Sequence, residues 1–205
     1  MSELFTAAAA ALEKNGFKVH VCETGAQACD YVLSHVKADA LVGIGGSMTV
    51  KELGLESKLR AAGHEVLWHW EVPAQERPAL FRRILGEANA YLLSANALTT
   101  DGKIVEIDGT GNRVGALCYG PEQVFVLVGK NKLVDGTVNQ AIARVKREAC
   151  VKNAIRLGLN TPCAKTGACH AADCTNPMCR AVVVLEGAPG GKETHVILID
   201  EVLGF

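Results

Sequence analysis

Apolar and polar positions along this chain alternate between two rhythms. Residues 3–15 carry a helical pattern that Asn15-Gly16 closes. Phe17-Lys18-Val19-His20-Val21 alternates as a strand does. Thr24 and Gln27 have capping-box spacing and predict a helix over 24–35. Ala40-Leu41-Val42-Gly43-Ile44 reads as a short buried strand running into Gly45-Gly46-Ser47-Met48-Thr49. A second capping-box pair, Thr49 and Glu52, predicts a helix opening just after those glycines, interrupted at Gly54 and ended at Gly63. A strand over 64–68, a helix over 75–87 and a strand over 90–94 follow. Regular alternation of helix and strand predicts right-handed βαβ units and a mostly parallel sheet flanked by helices, an α/β fold.

The rhythm then changes. Asp101-Gly102 separates Leu98-Thr99-Thr100 from Lys103-Ile104-Val105-Glu106-Ile107, a hairpin signal. Residues 108–113 read as a polar, glycine-rich loop. Residues 123–128 form a nearly continuous apolar strand. Thr137 and Gln140 cap a helix reaching about Leu157. Two strands, 181–185 and 195–201, close the chain around a turn at 187–191. The division expected is an α/β domain over 1–158, with a cysteine-rich segment and two closing strands over 159–205 packed on it.

Composition narrows the picture. Hydrophobic residues make up 49% and aromatics only 5%, so aliphatic side chains must build the core. The formal net charge is −1, which supplies no basic surface for nucleic acid. No stretch is long and apolar enough to span a bilayer. The segment Met1-Ser2-Glu3-Leu4-Phe5 lacks a basic n-region, so the expected location is the cytoplasm.

Two loops carry candidate chemistry. Gly43, Gly45, Gly46, Ser47, Met48 and Thr49 lie between a predicted strand and a predicted helix. Backbone N–H groups, hydroxyls and a helix N-terminus there make a cradle for phosphate or carboxylate. The other reading is a tight turn that needs glycine for its backbone alone. In the second loop, Glu106 and Asp108 share one face of a strand, and Gly109, Thr110, Gly111, Asn112 and Arg113 follow. Paired carboxylates suit acid–base or nucleophilic work, and Arg113 suits a two-point grip on an anion. The alternative is a solvated hairpin end with Arg113 neutralising Asp108.

Together, residues 43–49, 94–98, 101–102, 105–114, 119–121 and 128–134 resemble the LUD domain, the domain of lactate utilization protein C. The resemblance covers most of 1–160. It implies a fold like that of the glucosamine-phosphate deaminase, ribose-phosphate isomerase and CoA-transferase superfamily. By that analogy Gly45, Gly46, Ser47 and Thr49 fall at an anion loop that takes phosphate or a CoA-like group. Glu106, Asp108 and Asn112 fall near the reacting centre, and Asn96 and Lys130 are candidate substrate-binding residues. Lys130 and Lys132 match the family's motif, either reaching the anion or decorating a strand end. The resemblance also implies an iron–sulfur-linked lactate-oxidation pathway with redox partner subunits.

Cys163, Cys169, Cys174 and Cys179 fall among Pro162, Gly167 and Pro177, in a stretch with no helical or strand period. Four thiolates round one metal would tie such a loop down. Their spacings match neither zinc ribbons nor ferredoxin runs, which leaves an iron–sulfur cluster, zinc, or disulfides and free thiols open. His170 is a candidate replacement ligand. Cys22, Cys29, Cys118 and Cys150 stand isolated and read as inert, Cys118 being the one worth testing as a nucleophile.

Three functions remain in view. The first is a lactate-utilization-type protein binding a small anionic metabolite. The second is a stand-alone transferase or isomerase using Glu106 or Asp108. The third is a non-catalytic iron–sulfur or redox-sensing protein. A homodimer is the default assembly.

Overall fold

The computed structural model describes residues 3–205; Met1 and Ser2 lie outside the described residues. Helix α1 (Glu3–Lys14) buries Phe5, Ala8 and Leu12 on one face and leads into strand β1 (Lys18–Cys22). Helix α2 (Gly25–His35) starts at the expected capping box, Thr24 with Gln27. Strand β2 (Val42–Ile44) is followed by α3 (Met48–Glu52) and α4 (Leu55–Ala61), with Gly54 between them at φ +62°. Strand β3 (Val66–Trp68), helix α5 (Arg77–Glu87) and strand β4 (Ala90–Leu93) complete the regular alternation.

The hairpin forms as β5 (Ala97–Thr99) and β6 (Ile104–Asp108), paired antiparallel. Helix α6 (Asn112–Cys118), strand β7 (Gln123–Gly129), a 3₁₀ turn (Lys130–Lys132) and strand β8 (Leu133–Val134) come next. The long helix predicted after Thr137 forms in three parts: α7 (Val138–Arg144), a π-helical segment (Val145–Ala149) and α8 (Cys150–Arg156). Short helix α9 (Pro162–Thr166) precedes β9 (Ala181–Leu185) and β10 (Glu193–Ile199).

Six strands form one sheet in the order β1-β10-β7-β4-β2-β3, every pair parallel. Their side chains alternate between two cores. Tyr91, Leu93, Val124, Val126, Val196 and Leu198 face α1, α5 and α6. Ala90, Leu92, Phe125, Leu127, Ile197 and Ile199 face α2, α3 and α4. Burial on both faces explains why these strands read as continuous apolar runs. The fold is α/β with a parallel sheet flanked by helices, as expected. A second sheet, β8-β5-β6-β9, packs Ala97, Val105 and Ile107 on Ala141, Val145, Ala149 and Cys150 of the segmented helix.

The two closing strands join different sheets: β9 pairs with β6, whereas β10 lies between β1 and β7. Burial separates them, because Val196 to Ile199 are enclosed while Val182 on β9 is 46% exposed. Thr49 is not a cap. Ser47 takes that place, its Oγ accepting from Val50 N, and Thr49 is buried two residues further on. The polar loop at 108–113 is shorter than expected because α6 begins at Asn112, just after Gly111, whose φ of +93° supplies the turn.

Strands β3 and β4 depart from β2 on opposite sides. The C-terminal end of β2 is therefore a switch point, the place where open α/β sheets leave a crevice for ligands. The glycine loop lies there. Among the described residues, no helix is long and apolar enough to cross a membrane.

Candidate functional site

The crevice has a small, polar inner pocket of about 50 Å³, lined by Gly46, Ser47, Met48, Ser94, Asn96, Arg113, Lys132 and Arg156, among others. Ser47, Ser94 and Lys132 come from the loops just beyond β2, β4 and β7. Parallel pairing brings those three loops to one edge of the sheet.

Lys132 dominates the pocket. It is only 3% exposed, and its ammonium donates to Thr49 Oγ1 at 2.8 Å and Ser94 Oγ at 2.7 Å. An ammonium has three donors, so one remains after these two bonds. Burial brings its pKa down to about 7, partly opposed by the charge of Glu106. Lys130, the lysine singled out from the sequence, points away and pairs with Asp200 at the surface, 3.2 Å apart. Nothing in the sequence separates the two lysines, since both follow the same apolar strand. The intervening 3₁₀ turn decides which one faces inward.

Glu106 is wholly buried on β6. Its Oε1 meets Arg113 Nη1 at 2.5 Å as an ion pair without hydrogen-bond alignment, and its Oε2 accepts from Asn96 N at 2.9 Å. Burial pushes its pKa up to about 7, against the pull of Arg113. Asp108 behaves differently. Burial works against its charge, but Arg113 and the N–H groups of Thr110, Arg113 and Val114 outweigh it and hold the pKa below the ordinary value. Asp108 thus anchors the start of α6, while Glu106 sits at the threshold of titration near neutrality.

The other candidates divide. Asn96 lines the inner pocket, with Oδ1 accepting from Ile107 N at 2.8 Å. Gly43 is a packing residue: a Cβ there would lie 2.5 Å from Ile84 Cγ2 and 2.9 Å from Tyr91 Cδ2. Gly45 N donates to Leu92 O, and its carbonyl accepts from Trp68 Nε1. Gly109, Thr110 and Asn112 lie outside the inner pocket and line an outer cavity of about 430 Å³, together with His69, Trp70, Arg77 and Phe81. Gly111 lines a shallower depression beside Pro78 and Phe81. Inner pocket and outer cavity share Gly46, Arg113, Asn153, Arg156 and Met178.

This chain matches the LUD domain model over residues 6–199. It belongs to the LUD domain family. Family membership supports a lactate-utilization-type protein. The crystal structure of a DUF162 family protein from Deinococcus radiodurans superposes with a TM-score of 0.57 at 15% identity, covering 97% of this chain and 99% of that one. At that identity the likeness carries the fold alone. No curated protein matches the chain.

In this LUD domain the tail cysteines are brought together. Cys163, Cys169, Cys174 and Cys179 line one cavity of about 220 Å³, with His170 beside them. Cys150 joins them there, and it also lines the inner pocket. The sequence reading of Cys150 as isolated missed this, because the contact spans α8 and the tail. The Cys150 thiol, hydrogen-bonded to Cys179, brings the Cys179 pKa down to about 7 against the effect of burial. The same bond and burial push Cys150 up. Among the described residues, no three metal-competent side chains converge as a single ion requires. Thiolate is a soft donor that suits zinc and iron–sulfur groups alike. Cys22 and Cys29 are buried in the core, and Cys118 is exposed at the end of α6.

Proposed function

We propose that this LUD domain binds a small anionic metabolite, an organic acid or a phosphate- or CoA-bearing relative, within an iron–sulfur-linked redox pathway. The observation that carries the reading is Lys132. It is a buried ammonium beneath the glycine loop, held by Thr49 and Ser94, with one donor left over. A buried charge of this kind is costly unless compensated, and a bound carboxylate or phosphate compensates it. The pocket's small volume suits a head group, with the rest of the ligand reaching into the outer cavity.

Glu106 lies behind the pocket wall, outside the residues that line either cavity, and its buried carboxyl supplies counter-charge to Arg113 and Lys132. Arg113 holds it in place, and Asn96 N fixes its second oxygen. Cys163, Cys169, Cys174 and Cys179, with Cys150, would hold the iron–sulfur cluster, which supplies one-electron transfer when bound.

The deciding experiment is calorimetric titration of the protein with lactate, pyruvate and inorganic phosphate, repeated on Lys132→Met. At least one anion should bind, and the substitution should weaken it tenfold or more, since a charge-assisted hydrogen bond contributes about 1.5–3 kcal/mol. Undiminished binding in the variant would remove the reading. Iron, sulfide and visible absorption of protein prepared without oxygen test the redox half. Loss of absorption in Cys179→Ser is the expected result, and protein free of iron would end that half.

A further inference from the structure

We propose that the outer cavity is a phosphoryl-binding subsite, taking the phosphate end of an organic phosphate whose planar or apolar part lies against Trp70 and Phe81. This deepens the anion reading above. It assigns the phosphoryl group to arginines at the cavity mouth and leaves Lys132 to a second acidic group.

Three guanidinium groups line the cavity, those of Arg77, Arg113 and Arg156. The only carboxylate in its wall is Asp108, and Arg113 together with backbone N–H groups already occupies it. Arg113 is in turn committed to Glu106, Asp108 and the Ile107 carbonyl, so the positive charge that the cavity can offer a ligand comes from Arg77 and Arg156. His69 registers that field. Its pKa is lowered to about 4, by burial first and then by Arg77, with Arg113 and Arg156 adding to the effect. The neutral ring keeps a buried Nδ1 with no hydrogen-bond partner.

Charge alone would suit any anion, but the arrangement is more selective. The Arg156 guanidinium lies over the Trp70 ring, 5.0 Å from its centroid, and accepts guidance from Asn153, whose Oδ1 receives both Nε and Nη2. Those contacts hold the group at the mouth while leaving Nη1 unengaged by Asn153. Arg77 opens α5, an eleven-residue helix with no side-chain cap, so the helix dipole adds to its charge. Phe81 lies one turn further along the same helix, its ring edge-on to His69 at 5.0 Å. Planar, forked donors match a phosphoryl group bidentately, and aromatic faces suit a planar organic part. Gly46 joins the two compartments. A Cβ there would come within 3.2 Å of His69 Cε1, so a larger residue would narrow the passage.

The test uses adenosine diphosphate as the probe, read by calorimetry and by quenching of the two tryptophans, Trp68 and Trp70, which lie 4.8 Å apart. Wild-type protein should bind the probe. Arg77→Gln combined with Arg156→Gln should weaken it at least tenfold, and Lys130→Met, at a surface lysine outside both compartments, should change it less than threefold. Both arginines are at least partly exposed, so an unchanged melting curve is expected and verifies folding. Failure of the wild-type protein to bind, or full binding by the double variant, overturns the subsite. Equal loss in Lys130→Met also overturns it, by making the effect one of net charge, and leaves the anion reading intact. Loss of lactate, pyruvate and phosphate binding with retention of adenosine diphosphate would instead retire the inner-pocket reading and leave the subsite standing.

Discussion

The Lys132 ammonium donates to the Ser94 hydroxyl at 2.7 Å, and that hydroxyl in turn donates to the carbonyl of Leu127. A buried cation is thus tied through one serine to the backbone of the central strand β7. Ser94→Ala should cost about 1–3 kcal/mol by leaving buried partners unsatisfied. It should also favour the neutral amine and weaken anion binding. Chemical denaturation and calorimetry on the same variant measure both effects.

Anion affinity should fall as pH rises through about 7, where Lys132 loses its proton. Binding titrations between pH 6 and pH 9 check this. Affinity that stays level across that range would show that Lys132 is not the cation being used.

Stability should pass through a minimum near neutrality. Glu106 is raised from 4.5 to about 7, so between those values the folded chain keeps a proton that the unfolded chain lacks. Stability therefore falls as pH rises across that window. Lys132 is lowered from 10.5 to about 7, so above neutrality the unfolded chain holds the extra proton and stability rises with pH. Denaturation midpoints from pH 5 to pH 10 should trace the dip. Lys132→Met should flatten its alkaline side and Glu106→Gln its acid side.

Arg113→Met should be among the most damaging single changes. It strips the ion-pair partner from buried Glu106 and Asp108 and the donor from Ile107 O. Breaking a buried pair this way costs about 3–5 kcal/mol, or roughly 10 °C of melting temperature in a chain this size. Adding Glu106→Gln should recover part of the loss, as differential scanning calorimetry would show.

Gly43→Ala should destabilise by about 1–3 kcal/mol through overpacking against Ile84 and Tyr91. Its effect on anion affinity should be small. A variant with normal stability and lost binding would return Gly43 to the ligand loop.

Much of the sheet was legible because its signals are local. The Thr24 and Thr137 capping boxes, the Asp101-Gly102 turn and the apolar run at 123–128 each act within a few residues. What stayed hidden depends on contacts between distant segments. Choosing Lys132 over Lys130 needed the geometry of a 3₁₀ turn, and Cys150 gained its neighbours only when the tail folded over α8. The outer arginines were illegible for the same reason, since Arg77 and Arg156 lie on different helices. Glu106 and Asp108 were found as a pair, but only the number of backbone donors around each separates an anchoring carboxylate from a titrating one.

The position of β10 has a further consequence for how this chain acquires its shape. Strand β1 has a single neighbour in the sheet, and that neighbour is β10. On the ribosome, the first strand therefore waits unpaired through the synthesis of nearly everything that follows, and β7 waits with one side open. Closing so long a loop is slow, so nascent chains should hold a gap in mid-sheet that the late strand fills. Until it arrives, any other extended segment of suitable pattern can compete for the slot, which makes this gap the point most exposed to mispairing and to chaperone capture.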